Sequence, residues 1–235
     1  QLVDQVREGM VDIIWTLAGY TPGRFPSLEV FDLPFIASNA EATSQAAHEF
    51  SEIFSVAELQ DFKVLAVHVH SPGKLHTKSK AVENIDDFKG LKLRGPTRVI
   101  TEMLESFGAV PVGMPVPEVA PSLSKGVIDG MLVPYEIMHS FKLHEITKFH
   151  SEVFGNRGLY TTTFLFLMNK ASYEGLTDNQ KKIIDNNSGI NLAKKAGQLW
   201  DGFEIDGKNK AKIAGGKFFN LTEKNTLEIK EKGEK

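Results

Sequence analysis

The stretch Leu91–Val133, LKLRGPTRVITEMLESFGAVPVGMPVPEVAPSLSKGVIDGMLV, decides the fold, because short apolar segments and helical ones take turns along it. Leu91 to Arg94 reads as a strand that delivers Arg94 into a Gly95-Pro96 break. Thr97 then caps a helix whose apolar stripe is Ile100, Met103, Leu104 and Phe107, with Gly108 as its stop. Val110–Gly113 is a second strand, Glu118–Lys125 a short helix and Ile128–Val133 a third strand. Alternation of this kind predicts an α/β sheet.

Working outward, Leu2, Val3, Val6 and Met10 recur at helical spacing before Gly9, and Val11–Leu17 reads as a buried strand. GYTPGRFPS follows as a long, ligand-sized loop, and Ala40–Phe54 as a helix. KVLAVHVHS alternates in the manner of a strand and ends at Ser71-Pro72-Gly73, where a crossover between two lobes is expected. TTTFLFLMNK is an apolar strand, and Thr177 with Gln180 forms a capping box over a helix that continues for a long way. The expected lobes are residues 1–71 with 161–200, and 72–160 with 201–235. The chain starts inside a helical pattern at Gln1 and stops in one at Lys235, so both termini are expected to be missing.

With 235 residues, 41% hydrophobic and 24% charged, a sizeable core is possible. A net charge of −3 provides no cationic field for nucleic acid or anionic lipid. The absence of Cys removes disulfides, zinc-thiolate sites and thiol nucleophiles together. No GxSxG, GxGxxG, Walker loop or HExxH occurs, so the common catalytic signatures fail. Among seven His, His68 and His70 share one strand face and His76 follows closely, but no carboxylate stands where it would complete a metal shell. His139, His144 and His150 fall near a helix end and loops, and neither a metal nor a cofactor is implied.

Four segments in order, VREGMVDIIWTLAGYTPGRFPSLEVFDLPFI, VENIDDFKGLKLRGPT, FGAVPVGMPVPEVAPSLSKGVIDGMLVPYE and FLMNKASYEGLTDNQKKII, cover nearly the whole chain. In that order and spacing the chain resembles the solute-binding proteins of tripartite ATP-independent periplasmic (TRAP) transporters, of the dicarboxylate-binding-protein (DctP) type. The resemblance implies a two-lobed periplasmic-binding-protein-like α/β fold with strand crossovers and a long connecting helix. It further implies a periplasmic location, with a small carboxylate ligand and the TRAP membrane permease subunits as partners, the receptor itself being a monomer.

The resemblance places Arg94 against the ligand carboxylate, a role for which a planar guanidinium with a fork of donors is suited. Trp15 and Tyr20 stand where relatives carry pocket aromatics. Lys74 replaces a second Arg of sialic-acid-binding relatives, and Val133 replaces an Asn, which makes the pocket more apolar there. Met114, Val116, Tyr135, Glu136 and Thr163 lie on matching segments, while Arg24 and Arg98 flank the pocket loops. Trp15, Tyr20, Val133 and Tyr135 together favour a monocarboxylate with an apolar or aromatic body. The competing expectation is an α/β enzyme acting on a carboxylic acid, with Glu118 or Glu136 as general base.

Overall fold

The structure is a computed structural model and describes residues 1–234. Its strands are β1 (Ile13–Leu17), β2 (Phe62–Val69), β3 (Lys74–Thr77), β4 (Lys92–Gly95), β5 (Val110–Gly113), β6 (Gly130–Val133), β7 (Phe149–Glu152), β8 (Thr163–Asn169) and β9 (Lys217–Asn220). They form two sheets. One is antiparallel with order β1-β8-β2, and the other is mixed with order β5-β4-β6-β3-β7-β9. The parallel β4/β5 and β4/β6 pairs come from the alternating stretch, as that pattern requires.

Alternation along each strand decides what faces a core and what faces away from it. In the first sheet Val67, Val69, Leu165, Leu167 and Ile14 join one buried cluster. The residues between them, Trp15, His68 and Phe164, are thereby turned to the opposite face. In the second sheet Leu93 and Leu132 enter one cluster, whereas Met131 and Val133 enter another on the far side. Arg94 therefore lies on the face opposite Leu93, at the end of β4.

Two backbone segments pass between the sheets, residues 70–73 and 153–162, and they are joined by a bond from Gly73 N–H to the Tyr160 carbonyl at 2.8 Å. Gly73 is needed there, since a Cβ would sit 1.9 Å from the Tyr160 ring. The third link is the helix Ile190–Ile213, 24 residues long. Its Asp201 carboxylate accepts from the backbone N–H groups of Ala40 and Glu41 at 2.8 and 3.0 Å, at the positive end of the helix Ala40–Phe54. The same carboxylate accepts from Ser71 Oγ at 2.9 Å, on a crossing segment. One turn further on, Glu204 accepts from Glu136 N–H at 3.0 Å, beyond β6.

Several boundaries differ from the sequence expectation. β1 begins at Ile13 rather than Val11, and β6 at Gly130 rather than Ile128. The helix expected over Glu118–Lys125 is a 3-10 turn at Val116–Glu118 followed by a helix Val119–Ser124. The Thr177/Gln180 capping box is present, but its helix stops at Asn186, and Gly189, at φ +77°, starts the long one. Strands β3, β7 and β9 were not expected. His150 lies within β7 and not in a loop.

Candidate ligand-binding cleft

Between the two sheets lies a cavity of about 440 Å³, of the size that takes a small organic ligand. From the first sheet's side come Trp15, Thr16, Leu17, Tyr20, Thr162 and Phe164, with His70 and Tyr160 from the crossing segments and Trp200 from the long helix. The facing wall is Arg94, Pro115, Val116, Val133, Glu136, Ile137 and Phe141. Most of this surface is apolar or aromatic.

Among the described residues Arg94 is the one cation in this lining, and its setting is unusual. Only 2% of it is exposed, and no Asp or Glu forms an ion pair with it among the described residues. Its Nε donates to the Met114 carbonyl at 3.0 Å, Nη1 to the Leu132 carbonyl at 3.0 Å and Nη2 to the Tyr20 hydroxyl at 3.3 Å. A guanidinium has five N–H bonds, so one on each terminal nitrogen remains without a partner among the described residues. Burial lowers the Arg94 pKa from its ordinary value, a sign that the charge is desolvated without a carboxylate to offset it. Tyr20 serves as a brace as well as a wall, since its hydroxyl also accepts from Val116 N–H at 2.9 Å.

The aromatic wall follows from the alternation of β1, β2 and β8. Trp15 stacks on Phe164 at 4.6 Å with 8° between planes, and His68 stacks on Phe164 at 5.0 Å. The Trp15 indole N–H donates to His68 Nε2 at 2.8 Å, and burial holds the His68 ring neutral, with a pKa pushed down to about 4. With its polar atom satisfied, Trp15 remains 50% exposed and offers its ring to the cleft. His68 and His70 therefore belong to an aromatic face. His76 and His150 hydrogen-bond to each other at 2.8 Å within the second sheet, and no group of metal-ligating residues is found among the described residues.

Of the expected site residues, Arg94, Trp15, Tyr20, Val116, Val133 and Glu136 line the cavity; Lys74, Tyr135 and Thr163 do not. Lys74 donates to the Pro72 carbonyl and pairs with Glu204 at 3.0 Å, so its charge is consumed within the protein. Tyr135 points into the second sheet, where its hydroxyl donates to Glu152 at 3.0 Å. Thr163 is displaced by one step of the pleat: Thr162 and Phe164 reach the cavity, and Thr163 faces the buried Asp32. Met114 contributes its carbonyl, Arg24 is paired with Asp4 at 3.1 Å, and Arg98 is paired with Glu29 and Glu102. Glu118 is exposed and lies outside the cavity.

Among the cavity residues that sequence reading missed are His70, Tyr160, Thr162, Phe164 and Trp200. For Phe164 the signal was the alternation of TTTFLFL against WTL in the partner strand. Trp200 gave none, because a Trp on a long amphipathic helix is read as packing.

Along its whole length, residues 1–235, the chain matches the sequence profile of the DctP group, bacterial extracellular solute-binding protein, family 7. The chain belongs to this family. A marine metagenome TRAP solute-binding protein from an unidentified microbe, specific for aromatic acid ligands and solved with 3-hydroxybenzoate, is 63% identical to it. That comparison covers 100% of this chain and 73% of the other, with a TM-score of 0.98. A TRAP solute-binding protein from Rhodoferax ferrireducens T118, solved with copurified benzoate, is 47% identical over 100% of this chain and 73% of that one, with a TM-score of 0.97. The C4-dicarboxylate-binding periplasmic protein DctP of Rhodobacter capsulatus is 29% identical, over 68% of this chain and 48% of that protein. The chain spans about half to two thirds of the length of the curated relatives it matches. The two-lobed α/β fold is that of the solved family members.

The Glu136 carboxyl of this family member is pushed up to about 7, first by burial and then by the neighbouring Glu204. It is mostly neutral below that pH and mostly charged above it. For any anionic ligand taken into this cavity the neutral form is the favourable one, so the expected result is an affinity that falls as pH rises through 7. The expected loss between pH 6 and pH 8 is about fivefold, with no loss in Glu136→Gln. Asp32, pushed up to about 7 mainly by burial, lies outside the cavity, and Asp32→Asn should leave the binding profile unchanged. Titration calorimetry across this range reads both.

Proposed function

We propose that the chain is the ligand-binding part of a TRAP receptor for aromatic monocarboxylates, working as a periplasmic monomer that delivers its ligand to membrane permease subunits. The observation that carries this reading is Arg94: a buried guanidinium with no carboxylate partner among the described residues and with an N–H left on each terminal nitrogen. A bound carboxylate supplies the missing charge and accepts both bonds, while Trp15 and Phe164 cover the ring. The benzoate and 3-hydroxybenzoate bound by the two similar solved proteins support the same ligand class.

The proposed lobes are residues 1–71 with 161–200, and 72–160 with 201–235; Lys235 lies outside the described residues. Sheet membership supports this division, since β1, β2 and β8 fall in the first and β3 to β7 with β9 in the second. Closure of the lobes on the ligand excludes water and strengthens the ion pair. The enzyme alternative has little to draw on: Glu118 follows the lining residue Pro117 without itself lining the cavity, Glu136 does line it, and the family is one of binding proteins.

Calorimetric titration of the full-length protein with benzoate, 3-hydroxybenzoate and succinate tests the reading. Saturable binding of the two aromatic acids, with succinate bound at least about a hundredfold more weakly, is the expected outcome. A preference for succinate would contradict the aromatic assignment.

A further inference from the structure

The cavity holds a second polar pole, remote in chain and in chemistry from Arg94. His70 lines the cavity from the crossing segment after β2, and its Nδ1 lies 2.5 Å from the Ser71 carbonyl oxygen. A carbonyl only accepts, so the proton sits on Nδ1 and Nε2 is left as a bare lone pair. The Thr161 hydroxyl does not change this, because it donates to the His70 carbonyl at 2.7 Å. Nε2 has no hydrogen-bond partner among the described residues. Burial pushes the ring pKa down to about 3, so the imidazole stays neutral and the lone pair stays available at neutral pH.

Three rings pack against this imidazole, and the charges of Lys74 and Arg94 also reach it. Tyr160 and Phe164 meet the imidazole edge-on at 5.3 and 6.2 Å, and Trp200 is tilted at 5.9 Å. All three also line the cavity. An acceptor so placed leaves an unsatisfied group against a ligand with a purely hydrocarbon ring, and gains a bond from a ligand whose ring carries a donor.

Resting on the aromatic-acid reading above, we propose that His70 is the residue that selects hydroxylated aromatic acids: a ring hydroxyl donates to Nε2 while the carboxylate engages Arg94. Thr162 Oγ1 and Glu136 Oε2 are also buried without partners and are the competing recipients of such a hydroxyl. His70 is the better acceptor because its tautomer is fixed by Ser71, whereas the Thr162 hydroxyl rotates and the Glu136 carboxyl changes its protonation near pH 7.

The test is the ratio of affinities for 3-hydroxybenzoate and benzoate in the full-length protein and in His70→Phe, Glu136→Gln and Thr162→Val. A wild-type preference of about fivefold to tenfold for the hydroxylated acid is expected, as befits one neutral hydrogen bond. It should vanish in His70→Phe, with benzoate still bound, and persist in the other two variants. His70→Gln, with an amide oxygen at the ε position, should recover part of it, and His70→Asn, whose amide reaches only the δ position, should not. A rescue by Asn alone would mean that His70 serves only to hold the Ser71 turn, and would overturn the proposal. Nitrogen-15 NMR of wild type with labelled histidine needs no variant to fold: the His70 Nε2 resonance should move with 3-hydroxybenzoate and stay with benzoate. An Nε2 signal equally indifferent to both acids overturns the proposal, whereas failure of either acid to bind at all strikes the aromatic-acid reading instead.

Discussion

Arg94→Ala should weaken benzoate binding by about thirtyfold to several thousandfold, which corresponds to the roughly 2–5 kcal/mol lost when one partner of a buried charge pair is removed. Arg94→Lys should not restore it. An ammonium at the end of a flexible chain has three donors, and it cannot hold the Met114 and Leu132 carbonyls and the Tyr20 hydroxyl while also presenting a planar pair to a carboxylate. Sequence reading assigns Arg94 a single task, to engage the ligand carboxylate. The structure gives it a second task, because those bonds tie the ends of β5 and β6 to a loop of the other sheet. Stability effects in the unliganded variants run both ways: Arg94→Ala leaves two carbonyls without donors, yet it also removes a buried charge without a partner. Melting temperatures with and without benzoate separate the two effects. Equal benzoate affinity in wild type and both variants would remove Arg94 from the site.

Gly207→Ala should lower the melting temperature by about 6–12 °C, as expected for roughly 3 kcal/mol of overpacking in a chain of this size. A Cβ at Gly207 would lie 2.0 Å from the Tyr135 carbonyl oxygen and 3.0 Å from Glu136 N, and neither is the end of a flexible side chain. The helix must therefore withdraw from the segment that carries Pro134 and Glu136 into the cavity wall. The same change elsewhere in that helix supplies the control. A Cβ at Gly202 meets nothing within 4 Å, so Gly202→Ala should gain the ordinary helical advantage of alanine over glycine, about 1 kcal/mol. Opposite signs for two identical substitutions five residues apart would locate the tight crossing. Thermal denaturation of both variants decides it, and a neutral Gly207→Ala would mean that the long helix does not clamp the cavity wall.

How much of this was legible in the sequence follows from which physical signal each feature leaves. Alternation of strand and helix over Leu91–Val133 predicts the parallel core of the second sheet, and the capping residues Thr97 and Thr177 fall where their side chains accept from backbone N–H groups. The four-residue strands KLHT, FHSE and KFFN are too short and too polar to show a period of two, and they form because neighbouring strands hold them. In the site, the residue types were easier to read than their directions. Thr163 and Tyr135 each sit one residue from positions that do line the cavity, since an error of one in the pleat exchanges the two faces of a strand. Lys74 is placed near the cleft, but its partner Glu204 lies 130 positions away, and no local pattern announces such a pair. The histidines of VHVHS read as polar side chains on a strand and not as metal ligands, but spacing alone does not announce rings packed among Trp15, Phe164 and Trp200.

The most direct test is a crystal structure of the full-length protein grown with benzoate. The ligand carboxylate should lie within about 3 Å of both Arg94 terminal nitrogens, at hydrogen-bond distance, with its ring between Trp15, Phe164 and the Val133 side of the cleft. A benzoate whose carboxylate is turned away from Arg94, or which sits outside this cavity, would contradict the assignment.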